Sequence, residues 1–170
     1  VTPPEYTEQL AAKLGATYGA DSNYNLGFDW DYGYRAQRIE AMMAGLAPHS
    51  IESIIAMQGD NKNINAEEVL PYLDKLDIGS LEANQLRDWL LDWDYQMSMD
   101  SQQGGLYAYF WRALVRNIYG DELGDKFYIG VGSEAMWATH ELLDLPDNAW
   151  WDDSSTADKS ETRDEILIRA

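Results

Sequence analysis

Few side chains in this sequence are of a type that could do chemistry. Two histidines, His49 and His140, are the only side chains that ordinarily titrate near neutrality. A hydrolytic triad would need one of them within reach of a serine and a carboxylate, and no Gly-x-Ser-x-Gly elbow presents such a serine. His49 lies between Pro48 and a helix-opening Ser50, while His140 falls on an apolar helical face, so each reads as a structural histidine. Acidic pairs flank tryptophans at Asp29/Asp31, Asp92/Asp94 and Asp152/Asp153, the residue types that a glycoside hydrolase uses. Among 30 acidic residues such neighbours arise by chance, and nothing fixes the carboxylate separation which that reaction needs. Asp60-Asn61-Lys62-Asn63-Ile64-Asn65 has the outline of a calcium loop. Lys62, however, stands at its third position, Asn65 at the glycine position and Pro71 where the closing glutamate belongs. Backbone-bonding turn residues explain the stretch better. Arg35 and Arg38 stand out because cations are scarce, 12 against 30 acidic residues. A guanidinium can grip a carboxylate with two hydrogen bonds and fix a neighbour's orientation. On composition alone, the expected partner is Asp29, Asp31 or Glu40 in an ordinary ion pair.

These residues must be positioned by helices. A short helix opens near Thr2-Pro3-Pro4-Glu5 with Leu10, Ala11 and Leu14 as its apolar face, and residues 15–25 are loop-like. Ile39, Met42, Met43 and Leu46 keep the i, i+3, i+4, i+7 spacing of a helix from about Tyr34 to Ala44, stopped by Pro48. Ser50 caps the next, carrying Ile51, Ile54 and Ile55. After a turn at Gly59–Asn63, either Asn63 or Asn65 caps a third helix with Val69, Leu70, Leu73 and Leu76 on one side, where Pro71 is tolerated near the start or as a kink. Ser80 caps a fourth, with Leu86, Trp89, Leu90, Trp93 and Met97 as its stripe, and a polar loop follows from Met99 to Gly105. Leu106, Tyr107, Phe110, Trp111, Leu114, Val115, Ile118 and Tyr119 form the clearest helix, with Gly120 at its end. Ser133 is expected to cap another, bearing Met136, Trp137, His140 and Leu143. Asp158 and Glu161 have capping-box spacing ahead of a terminal helix. No strand alternates convincingly. The expected class is mainly α, an irregular domain of about seven or eight helices. Residues 1–25 form a leading helix and loop, and residues 26–170 the helical domain.

The totals agree with a folded helical chain. An apolar content of 45% over 170 residues is ample for one core. A net charge of −18 repels phosphate, which argues against nucleic acid and anionic membranes as partners. The absence of cysteine excludes disulfides, zinc-thiolate sites and thiol nucleophiles. No apolar run approaches the roughly 20 residues of a membrane span. Val1 at the start, and a last helix still running at Glu165–Ala170, read as cut ends, so a fragment is expected.

Leu26-Gly27-Phe28-Asp29-Trp30-Asp31-Tyr32-Gly33-Tyr34-Arg35-Ala36-Gln37-Arg38-Ile39 resembles the "lG-x-DW-x-x-x-YRA-x-RI" segment of the penicillin amidase family. Gln58-Gly59-Asp60 is similar to its "MQ-x-D" element and Ala66–Leu73 to its "A-x-x-x-x-P-x-L" helix. Trp151-Asp152-Asp153 with Glu161-Thr162-Arg163-Asp164 is similar to its "WWDD…T…ET" segment. The resemblance implies an N-terminal nucleophile hydrolase, in which a serine freed at the start of the β subunit attacks an amide and its own α-amino group serves as base. Neither that serine nor the family's β-layers occur in this chain, which then corresponds to the helical part of the β subunit. By the same resemblance, Asn23 is the oxyanion-hole residue, Arg35 orients that Asn, and Asp21 matches a contact to the structural calcium of many relatives. The chain itself would require no cofactor. Its partners would be the remaining segments of the parent and a small N-acyl substrate such as an acylated β-lactam or acyl-homoserine lactone, in a periplasmic or secreted setting. The alternative reading is a non-enzymatic acidic all-α binding or scaffold domain.

Overall fold

The computed structural model describes residues 32–45, 48–124 and 130–170. These residues form seven α-helices and two short 3-10 turns, with no strand among them. Internal contacts divide the chain into Val1–Met57 and Gln58–Ala170. The leading helix and the 25/26 boundary expected from the sequence lie outside the described residues.

The first unit holds α1 (Tyr34–Gly45) and nearly all of α2 (Ile51–Gln58). Gly33 turns the chain into α1 at φ +105°, a conformation that a side chain would strain, and its carbonyl accepts the Gln37 N–H at 2.9 Å. Ser50 caps α2 reciprocally: its hydroxyl accepts the Ser53 N–H at 3.2 Å, and its own N–H reaches the Ser53 hydroxyl at 2.9 Å. Neither helix contains a buried residue, and Ile39, Met43, Ile51, Ile54 and Ile55 are exposed despite their regular spacing.

The second unit is built on α5 (Gln102–Leu123), which buries Tyr107, Phe110, Trp111, Leu114, Val115, Ile118 and Tyr119 along one side. Against it pack α4 (Leu81–Leu91), α7 (Arg163–Arg169) and the 3-10 turn Ala149–Trp151. A further layer comes from α3 (Ile64–Val69), which meets α6 (Ser133–Leu143) and runs directly into the 3-10 turn Leu70–Leu73. Pro71 explains that switch. It has no N–H to continue the α pattern, so the helix tightens where the proline enters. Asn63 is the cap of α3, its side chain accepting from Ala66 N at 3.0 Å. Asn65 is buried instead and donates to the Tyr107 hydroxyl at 2.8 Å.

Several elements differ from the sequence expectation. Helix α4 stops at Leu91, and Trp93 and Met97 lie beyond it. There the chain folds back to pair Lys62 with Gln96, through Asn63 N–H to Tyr95 O at 2.8 Å and Met97 N–H to Asn61 O at 3.1 Å. Trp93 and Leu90 are buried, but Leu86, Trp89 and Met97 are exposed. Arg87 turns inward in their place, donating to the Leu76 carbonyl and to Asn84 Oδ1, so a polar anchor rotates the helix away from its apolar stripe. Helix α5 starts earlier than expected, because Ser101 accepts the Gly104 N–H at 3.0 Å and caps residues read as loop. It also runs past Gly120 to Leu123, and Gly124, at φ +59°, closes it. In α6 the cap is Gly132 rather than Ser133. The buried stripe there is Ala135, Thr139, Leu142 and Leu143, leaving Trp137 exposed.

The two helical glycines at the start of α5 differ in what surrounds them. A Cβ on Gly104 would meet Met97 Sδ at 3.2 Å and Trp93 Cζ2 at 3.3 Å, so its lack of a side chain lets that loop lie close. Gly105 is exposed and faces open space. Gly105→Ala is therefore expected to stabilise the fold by about 0.5–1 kcal/mol, read as a higher urea midpoint at unchanged slope.

Candidate functional site

Arg35 and Arg38 sit one turn apart at the start of α1, Arg35 exposed and Arg38 half-buried. The helix is aimed by the Gly33 turn, and Tyr32 and Tyr34 brace that turn edge to face, with ring centroids 4.7 Å apart. The turn and the helix thus place the Arg35 backbone at a helix start, with its side chain exposed. Asn23 and Asp21, the expected oxyanion-hole and calcium contacts, lie outside the described residues, as do Asp29 and Asp31.

Trp151-Asp152-Asp153 and the Glu161–Asp164 segment come together in one polar network. Trp151 is fully buried and donates from Nε1 to the Leu145 carbonyl at 2.9 Å. Asp152 Oδ1 accepts the Glu161 N–H at 3.1 Å, and Asp153 Oδ1 accepts the Ser155 N–H at 3.1 Å. Arg169 bridges Asp153 Oδ2 at 2.6 Å and Glu161 Oε1 at 2.8 Å. The Glu161 side chain is 1% exposed, and its Oε2 lies 3.0 Å from the Thr156 hydroxyl and 3.2 Å from the Asp153 N–H. Burial works to raise this carboxyl, yet the Asp153 N–H, the Thr156 hydroxyl and Arg169 hold it below its ordinary value. The network therefore holds at neutral pH and weakens as pH falls through the carboxylate range. Glu161 is thus no part of the expected capping box with Asp158. The box is Thr162–Glu165, in which Glu165 Oε2 accepts the Thr162 N–H at 3.0 Å. The hydrogen bonds and ion pairs of this network hold the loop in shape and tie it to the helix, so the motif is structural.

Among the described residues, the structure places neither histidine in a Ser-His-Asp triad. His49 is exposed ahead of α2. His140 Nδ1 lies 3.2 Å from Glu68 Oε2, joining α6 to α3. Among the described residues no three His, Asp or Glu side chains converge to hold a metal ion. Asp94 Oδ1 accepts the Gln96 N–H at 2.9 Å, the turn-forming use of an aspartate. Also among these residues, no helix is long and apolar enough to cross a membrane.

Sequence reasoning missed polar contacts such as Glu161 with Arg169, Glu68 with His140, and Asp121 with the Ser154 N–H at 2.6 Å. The last two have no local signature. Their separations are set by how helices pack. A signal existed only for the first, since a glutamate ahead of a helix and an arginine in its last turn bracket one short element.

The family model for penicillin amidase matches residues 11–170. The chain is similar to the acyl-homoserine lactone acylase QuiP of Pseudomonas aeruginosa, 29% identical over 175 residues, covering 90% of this chain and 20% of that protein. The acyl-homoserine lactone acylase QuiP of Pseudomonas syringae pv. syringae is 27% identical over 182 residues, 95% of this chain and 22% of that protein. Penicillin acylase 2 proenzyme of Pseudomonas sp. strain SE83 is 33% identical over 84 residues, 49% of this chain and 11% of that protein. The chain spans about one-fifth of the length of the first of these curated relatives.

Proposed function

The chain belongs to the penicillin amidase family, and from that premise we propose that it is the helical part of a longer hydrolase that cleaves the amide bond of an N-acyl substrate. The observation that carries this reading is the family match along residues 11–170, over a chain that spans about one-fifth of its first relative. The names of the relatives suggest an acylated β-lactam or an acyl-homoserine lactone as the substrate class. In either, an acyl group is joined to an amine through a linear amide.

The nucleophile is a serine at the start of the β subunit, upstream in the parent, deprotonated by its own α-amino group. Attack turns the planar carbonyl into a tetrahedral centre with charge on oxygen. Asn23 is the side chain of this chain assigned to meet that oxygen, and Arg35 holds Asn23 in place. Fixed donors aimed at a developing oxyanion contribute more than any other term in such reactions. A structural calcium contacted by Asp21 belongs to the same proposal, as does a periplasmic or secreted setting. The ion takes no part in the steps above.

Two measurements test the reading. The 170-residue chain alone is expected to show no turnover of phenylacetyl or acyl-anilide substrates, and measurable turnover would sink the claim that the nucleophile lies elsewhere. The encoding gene is expected to have a longer reading frame with an internal Gly-Ser or Ala-Ser junction upstream. A frame confined to these residues would favour a non-enzymatic acidic binding domain instead.

A further inference from the structure

Helix α5 buries its apolar residues along one side, and its outward side is unlike the rest of the molecule. Asp100 and Asp121 bracket twenty residues without a carboxylate, in a chain where 30 of 170 residues are acidic. Within that stretch Tyr109, Arg112 and Arg116 recur every three or four residues and so share one face of the helix. All three are exposed, Tyr109 at 79%. Gly105 and Gly120 continue the face at either end, also exposed, where the lack of a side chain leaves room for another backbone to lie close.

The two cations on this face are unanswered. Every other described Lys and Arg of the second unit sits beside a carboxylate, from 2.6 Å for Lys62 with Glu67 to 3.9 Å for Lys75 with Asp74, and Arg112 and Arg116 do not. No residue three or four positions from either arginine is acidic, and at that spacing the charge each one meets is the other, which repels it. A guanidinium offers a flat fork of N–H donors that fits a carboxylate with two hydrogen bonds. Exposed tyrosine beside arginine, with lysine and acidic residues depleted, is also the side-chain mixture of protein interfaces. We propose that the outward face of α5, from Gly105 to Gly120, docks an acidic segment of the parent hydrolase outside this chain, two of its carboxylates resting on Arg112 and Arg116. The proposal rests on the reading of this chain as part of a longer hydrolase, whose first relative it spans by about one-fifth. Charge selects that occupant over a second copy. Another copy brings a further −18 and is repelled before contact, whereas a segment encoded in the same parent is held nearby.

The test compares the full-length parent with the 170-residue chain. Nitration of Tyr109 by tetranitromethane, read by mass spectrometry of its peptide, is expected to run roughly tenfold slower in the parent. In a parent carrying both Arg112→Glu and Arg116→Glu, Tyr109 should react within about twofold of its rate in the chain alone. Arg116→Ala, the milder variant should the charge-reversed parent not fold, should restore part of that reactivity. In the 170-residue chain the two glutamate substitutions should leave the urea midpoint unchanged. A drop there would mean that the arginines serve this chain's own fold, and would overturn the docking face. So would a Tyr109 that reacts equally fast in chain and parent, or one still protected in the charge-reversed parent. Protection that appears in the 170-residue chain as its concentration rises, with a dimer in sedimentation, would give the face to a second copy instead. A parent that hydrolyses an acyl-anilide while Tyr109 stays reactive sinks the docking face and leaves the hydrolase reading standing. One that protects Tyr109 and hydrolyses no such amide does the reverse, and a reading frame confined to these residues overturns both.

Discussion

Replacing Trp151 with alanine will lower the unfolding free energy by about 3–5 kcal/mol. The indole is 0% exposed in a 3-10 turn of only three residues, and that turn packs on α5. Removing it leaves a cavity larger than the surrounding side chains can fill, and the Leu145 carbonyl loses one of its two donors, keeping the Asn148 N–H. The loss propagates because Asp152 and Asp153 follow directly and hold Glu161 and Arg169. Against the roughly 5–15 kcal/mol that keeps a domain folded, such a change leaves the chain close to its unfolding threshold. Urea titration followed by circular dichroism should give a much lower midpoint, and Trp151→Phe a smaller shift, since phenylalanine restores most of the volume and none of the hydrogen bond. A loss under about 1 kcal/mol for Trp151→Ala would mean that this turn is not a keystone of the second unit.

In the full-length parent, Arg35→Ala is expected to reduce kcat about 100-fold while leaving KM nearly unchanged. An oxyanion-hole residue acts on charge that exists only in the transition state, so releasing its orientation costs rate and spares substrate binding. Arg35 is the positioning residue in this scheme, and its exposure in the first turn of α1 means that little packing is lost with it. Arg35→Lys discriminates between shape and charge. Lysine keeps the charge but cannot grip with two parallel hydrogen bonds, so an intermediate rate is expected. A parent enzyme with Arg35→Ala whose kcat stays within twofold of the original would remove Arg35 from the reaction. The family membership would stand.

Much of this protein is decided by local rules. Helix α5 was legible because its apolar residues repeat at 3.6 along 14 positions from Leu106 to Tyr119, and no neighbour needs to be known for that pattern to form. The caps at Ser50 and Ser80 were readable for a similar reason, since a side-chain oxygen reaching an N–H three residues on is a contact within one turn, whereas for α3 the sequence left Asn63 and Asn65 open and the structure chose Asn63. Family membership was legible as well, because it rests on the order and spacing of motifs along the chain.

What the tertiary structure alone decided are the choices between two locally acceptable outcomes. Gly120 and Gly124 can each end a helix, and α5 continues through the first to close at the second, where the backbone turns to positive φ. Leu86 and Trp89 share a stripe with Leu90, yet Arg87 and Asn84 anchor α4 by its polar side and leave that stripe in solvent. Glu161 has the right spacing to serve a cap, and becomes a buried partner of Arg169 eight residues away. In each case the local energies differ by a kcal/mol or less, while one buried tryptophan or one satisfied buried carboxylate weighs several times more. Sequence sets which elements can form, and the larger packing terms select among them.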